Sequence, residues 1–143
     1  MSAAVKILRF FMSHTSPTRI LVVENDPLMI KALCDTLQDE GHTVVAAPGG
    51  QAGIEAFQSA LEAREPFSVV ITDLAMDQVD GRQVATTVKS ASPKTPVILL
   101  TGWGQWFESK AGLALPVDCI LGKPLKLQEL RDALSRCLES GRS

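Results

Sequence analysis

Phe67-Ser68-Val69-Val70-Ile71-Thr72-Asp73, followed by Leu74-Ala75-Met76-Asp77-Gln78-Val79-Asp80-Gly81, is the stretch whose reading decides the fold. A short, largely β-branched apolar run closes on a carboxylate, and turn-forming residues take over at once. Such a run reads as a buried parallel strand, and the carboxyl ends of parallel strands are where open α/β sheets hold their ligands and chemistry. Three other runs end in a similar way: Arg19 to Val23 in Glu24-Asn25-Asp26, Pro96 to Leu100 in Thr101, and Val117 to Leu121 shortly before Lys123-Pro124. Acids, a hydroxyl and an amine are therefore expected along one edge.

Working outward, β-branched runs alternate with longer segments of helical period, the signature of βαβ units around a parallel sheet. Five strands and five helices are expected. The first helix starts near Pro27 with Asp26 as its N-cap and ends at Gly41. A strand at Thr43 to Ala46 precedes a helix from about Gln51 to Arg64. After the Asp80-Gly81 turn, Gln83 to Ser90 reads as a short helix that Ser92-Pro93 stops. Trp103 to Leu113 is a weak, glycine-interrupted helix, and Lys126 to Leu138 a final amphipathic one, with Leu127, Leu130, Leu134 and Leu138 on one face. Residues 1–18 read as an N-terminal extension and linker, 19–140 as the folded domain and 141–143 as a tail. Within the extension, Val5, Ile7, Leu8, Phe10, Phe11 and Met12 form an apolar half, and Ser13 to Thr18 are turn-formers.

A chain of 143 residues with 45% hydrophobic and 21% charged residues has room for one domain with a real core. Its net charge of −2, with no Lys/Arg run, lacks the footprint of direct nucleic-acid binding. Three cysteines without CxxC spacing argue against zinc and fit a reducing, cytoplasmic compartment. No run approaches the roughly 20 apolar residues of a membrane span, and no signal peptide is expected.

Each edge residue alone has an ordinary structural reading: Asp73 as a turn former, Glu24 and Asp26 as solvated caps, Thr101 as a buried hydroxyl, Lys123-Pro124 as a loop. Together they describe a chemistry. An aspartate can accept a phosphoryl group covalently. Mg²⁺ prefers oxygen ligands and takes one or two carboxylates plus water and phosphate oxygens, a set that Glu24, Asn25 and Asp73 can supply. Lys123 is suited to pair with Asp73 or a phosphoryl oxygen, and the Thr101 hydroxyl can donate to that oxygen. The reaction class is phosphoryl transfer by positioning and electrostatics.

On Ile20-Leu21-Val22-Val23-Glu24-Asn25-Asp26, Asp73-Leu74-Ala75-Met76 with Asp80-Gly81, Leu99-Leu100-Thr101-Gly102 and Lys123-Pro124, the chain resembles the receiver domain of two-component response regulators, from about Arg19 to Leu138. The resemblance implies a doubly wound, flavodoxin-like fold with five helices and a five-stranded parallel sheet in the order 2-1-3-4-5. It implies Asp73 as phosphoacceptor, served by a histidine kinase or histidine phosphotransfer protein. Mg²⁺ would be held by Glu24, Asn25, Asp73 and the backbone carbonyl of Ala75, Thr101 would be the switch hydroxyl, and the Lys123-Pro124 bond would be cis. A homodimer is implied by family analogy alone. The chain stops just after the last expected helix, so output is expected through protein contacts with an effector partner.

Three departures stand out. Asn25 occupies a position where the family usually carries a second acid, so weaker Mg²⁺ binding is expected. Ile120 stands three residues before the lysine, where receivers often have an aromatic that turns inward. Asp77 also replaces a favoured proline. These departures leave a phosphorylation-independent interaction module as the alternative reading. A phosphatase of the haloacid dehalogenase type wants a second Asp where Ala75 stands, and a flavin phosphate would be repelled by Glu24-Asn25-Asp26. No turnover of a free substrate is expected.

Overall fold

The computed structural model describes residues 18–102 and 115–140. Within them the chain runs β1 (Arg19–Val23), α1 (Pro27–Asp39), β2 (Thr43–Ala47), α2 (Gly50–Glu62), β3 (Val69–Asp73), α3 (Gly81–Ala91), β4 (Val97–Thr101), β5 (Cys119–Gly122) and α4 (Leu127–Ser140). The five strands form one sheet in the order β2-β1-β3-β4-β5, and every pairing is parallel. The expected strand order is thus observed. Four helices lie among the described residues; the fifth, expected over Trp103 to Leu113, falls outside them, as does the apolar segment before Thr18.

Strand residues alternate between two cores, because successive side chains leave a strand on opposite faces. Ile20, Val22, Val69, Ile71, Ile98 and Leu100 face α1 and α4, meeting Leu33, Leu37, Leu130 and Leu134. Leu21, Val23, Val70 and Val97 face α2 and α3, meeting Phe57, Ala60, Val84 and Val88. Each fully buried aliphatic side chain contributes on the order of 1.5–3 kcal/mol, so β1, β3 and β4, covered on both faces, anchor the fold.

Local chemistry sets the helix ends. Asp26 caps α1, its side chain accepting from the Leu28 N–H at 3.0 Å, with Pro27 inside the first turn. Gly41, at φ +92°, takes the left-handed turn after α1. The third helix starts two residues earlier than expected because Asp80 and Gln83 form a reciprocal capping box, which makes Asp80-Gly81 the helix start itself. The second helix ends at Glu62, where Ala63 caps it and Arg64 turns left-handed at φ 61°. The fifth strand begins at Cys119 rather than Val117. Val117 N–H turns back to the Leu115 carbonyl, and the Asp118 carboxylate accepts from Val97 N–H at 2.8 Å and from Lys89 Nζ at 2.7 Å. No described helix is long and apolar enough to cross a membrane.

Candidate functional site

The parallel register brings four strand ends to one edge. Val23 pairs with Thr72, so the next rung sets Glu24 beside Asp73, and the Glu24 N–H extends the ladder to the Ala47 carbonyl at 3.1 Å. Asp73 is the last residue of β3 and pairs with Leu100, one residue before Thr101. Thr101 pairs with Gly122, and its carbonyl accepts from the Lys123 N–H at 2.9 Å. The Lys123-Pro124 bond is cis, as expected.

Asp73, Glu24 and Thr101 are all buried, at 4%, 1% and 2% exposure, so this is a desolvated pocket, and among the described residues Lys123 is the cationic side chain that reaches into it. Lys123 Nζ lies 2.8 Å from Asp73 Oδ1 and 3.7 Å from Glu24 Oε2. Burial pushes the Glu24 carboxyl above its usual range and the Asp73 charge adds to this, while the Asp26 N–H and Lys123 pull the other way. For Lys123, burial works against its charge, but the hydrogen bond and charge of Asp73, then those of Glu24, outweigh it and raise its pKa.

Glu24 uses one oxygen on its own loop, Oε1 accepting from the Asp26 N–H at 3.2 Å. Its other oxygen, Oε2, is buried without a hydrogen-bond partner. An orphaned carboxylate oxygen beside a second carboxylate is the donor a hard cation would complete. Among the described residues no group of three or more His, Cys, Asp or Glu side chains gathers as a metal site, so a cation here would draw on two carboxylates and neutral oxygens. That suits Mg²⁺, which usually keeps several waters. Asn25 lies next to Glu24 with an exposed side chain, and Ala75 is exposed in the loop beyond Asp73.

Gly81 was legible only as a turn former, yet it lets α3 start against the end of β3. A Cβ there would sit 2.3 Å from the Asp73 carbonyl oxygen and 2.9 Å from Leu74 Cα. Only glycine lets α3 start this close to the strand end, and the Gly81 N–H closes the loop onto the Leu74 carbonyl at 2.9 Å. Gly50 plays the same part for the loop's far side, where a Cβ would meet the Val79 carbonyl oxygen at 2.0 Å. Ile120 is half-buried against Leu74 and Leu99. The aromatic cluster Trp103, Trp106 and Phe107 lies outside the described residues.

A doubly wound parallel sheet thus carries a buried acid pair and a lysine together at its carboxyl edge. The family model of the response regulator receiver domain matches residues 20–135, and the chain belongs to that family. It is 35% identical over 128 residues to the transcriptional regulatory protein GlrR of Escherichia coli (strain K12), covering 90% of this chain and 28% of GlrR. It is 32% identical over 118 residues to the response regulator protein FleR of Pseudomonas aeruginosa, covering 82% of this chain and 24% of FleR. The chain thus spans about a quarter of the length of these relatives. Among solved structures, a receiver domain protein from Clostridium thermocellum superposes with a TM-score of 0.78 at 25% identity, over 87% of this chain and 97% of that one. The response regulator TrrA from Thermotoga maritima, solved in complex with Mg²⁺-BeF, gives 0.74 at 26% identity, over 85% and 99%. The protein is therefore a receiver domain of two-component signalling, a module whose family works with histidine kinases and downstream effectors.

Proposed function

We propose that Asp73 accepts a phosphoryl group from a phosphohistidine on a kinase or phosphotransfer protein, and that the phosphorylated state is read by an effector through protein contacts. The observation that carries this reading is the 2.8 Å contact between Lys123 Nζ and Asp73 Oδ1 inside a buried acid pair. A carboxylate oxygen of Asp73 attacks phosphorus, the P–N bond breaks, and the imidazole leaves with the electron pair. Lys123 balances the charge on the acceptor and on the incoming oxygens, and the Thr101 hydroxyl donates to one of them. Glu24, Asn25, Asp73 and the Ala75 carbonyl are the residues that would hold Mg²⁺, which when bound supplies positive charge to the phosphoryl oxygens. The reaction consumes the donor's phosphoryl group without turnover of a free substrate.

The docking side of the transfer also has a physical marker. Leu28, in the first turn of α1 just past Asp26, is 80% exposed, and Leu127 at the start of α4 is 44% exposed. These two large apolar side chains stand at the starts of helices that cover the same face of the sheet, and a donor protein reaching Asp73 would seat against that end. The folded receiver unit spans residues 19–140 on this reading, and three cysteines outside any disulfide fit a reducing, cytoplasmic setting.

Incubation with acetyl phosphate and Mg²⁺ followed by intact mass measurement tests the reading. One phosphoryl adduct is expected on the wild type and none on Asp73→Asn. An unmodified wild type, or an adduct that survives Asp73→Asn, would overturn it and favour a phosphorylation-independent interaction module.

A further inference from the structure

We propose that residues 5–12 of this chain dock in the groove between α1 and α4, at the edge of the sheet opposite Asp73. The groove has a volume of about 400 Å³ and is lined by Glu40 and His42 from the turn after α1 and by Arg131, Leu134, Leu138 and Glu139 from α4. Helices in βαβ units run back against their strands, so this end of α1 and α4 lies beside the strand starts, away from the phosphoryl site. The inference is independent of the role assigned to Asp73.

The tether selects the occupant. Thr18 is buried, and its carbonyl accepts from the Thr43 N–H at 2.9 Å, so the chain enters β1 directly beside His42. Residues 13–17 extend at most about 3.3–3.6 Å each, roughly 17 Å in all, enough to carry Met12 across the width of a helix but not to the far edge of the sheet. A short linker holds its segment at an effective concentration of about millimolar, so even a weak contact is populated within one molecule.

Chemistry agrees with the tether. The groove floor is Leu134 and Leu138, and Val5-Lys6-Ile7-Leu8-Arg9-Phe10-Phe11-Met12 offers apolar side chains broken only by two cations. Arg131 is neutralised by its ion pair with Glu40, which leaves the carboxylate of Glu139 to set the sign of the rim. Lys6 and Arg9, three residues apart, complement that sign, whereas a second copy of the groove would bring like charges together.

Hydrogen exchange on the full chain tests this against two full-length variants, Phe10→Ser with Phe11→Ser, and Lys6→Glu with Arg9→Glu. Both are expected to lose amide protection over residues 38–43 and 134–139 while β1, β3 and β4 keep theirs. Zero-length carbodiimide coupling of the wild type at low protein concentration should join Lys6 to Glu139 or Glu40 within the monomer. Unchanged protection at the groove in both variants would overturn the proposal. A coupled product found only in a dimer would do so too, by assigning the groove to a second copy.

Discussion

Replacing Lys123 by Met removes a cation that, among the described residues, alone stands between two buried carboxylates, and the cost can be worked from the distances. At an effective dielectric of about 20, unit charges at 2.8 Å attract by about 6 kcal/mol and at 3.7 Å by about 4.5 kcal/mol. Desolvation of all three groups cancels most of this. Removing one partner of a buried pair costs about 3–5 kcal/mol in general, and because the Lys123 side chain retains 29% exposure the lower end applies, about 3 kcal/mol at pH 7 without Mg²⁺. The sign with pH is fixed. The raised pKa of Lys123 means its contribution is intact below the ordinary amine value and fades as pH rises through the folded value. In Lys123→Met the orphaned acids bind a proton more tightly folded than unfolded, so acidification from pH 7 to 5 should narrow the gap to wild type. Saturating Mg²⁺ should narrow it as well, by returning positive charge to the same pocket. Urea unfolding followed by circular dichroism reads all three effects. A variant within about 0.5 kcal/mol of wild type at pH 7, or a gap that widens on acidification, would refute the electrostatic account.

Gly81→Ala should lose about 1–3 kcal/mol in the same urea assay and accept phosphate from acetyl phosphate at least about tenfold more slowly, because its Cβ displaces the Asp73 backbone. Unchanged kinetics would show that the close approach does not position the acceptor. Glu24→Gln should stabilise the metal-free protein by about 1 kcal/mol, since burial and Asp73 already press that carboxyl toward its neutral form, and should abolish stabilisation by Mg²⁺. Retained Mg²⁺ stabilisation would remove Glu24 from the metal site. Leu28→Ala should slow transfer from a phosphodonor protein about tenfold while leaving acetyl phosphate kinetics unchanged, as for loss of an exposed docking anchor. Equal loss with both donors would point to damage of the pocket. Asn25→Asp should tighten Mg²⁺ binding measured by calorimetry, and unchanged or weaker affinity would exclude position 25 from the ligand set.

The elements most legible in the sequence were those whose signal is local. Asp26-Pro27 announces a helix start, Gly41 a left-handed stop, and the Val69 to Thr72 run a strand covered on both faces. Where boundaries shifted, a side chain had intervened: the Asp80–Gln83 box pulled α3 two residues earlier, and the Asp118 carboxylate, bound by Val97 and Lys89, delayed β5. That Glu24, Asp73, Thr101 and Lys123 share an edge was readable because strand ends meet there whatever the details of packing. Their mutual distances were not. That Glu24 Oε2 is orphaned, or that Gly81 leaves no room for a methyl group against the Asp73 carbonyl, depends on contacts between segments far apart in the chain, and no spacing rule encodes those.

Asn25 changes the balance of this pocket in a direction that the geometry makes specific. With Glu24 and Asp73 ionised and Lys123 charged, the formal sum is −1, where an acid at position 25 would make it −2. A divalent cation is therefore attracted less strongly before phosphorylation. On the proposed reading a phosphoryl group on Asp73 would bring negative charge of its own, so the same missing acid would also remove one repulsion from the product. The amide thus trades affinity for the ion against compatibility with the phosphoryl oxygens. Lys123 is the group that makes this trade workable, because it sits 2.8 Å from Asp73 and only 3.7 Å from Glu24 Oε2, an oxygen with no hydrogen-bond partner. If Asp73 is the acceptor as proposed, most of the charge a metal would supply here would be needed once the phosphoryl group is present, so Mg²⁺ and phosphoryl group should bind with positive coupling, each tightening the other by the same factor.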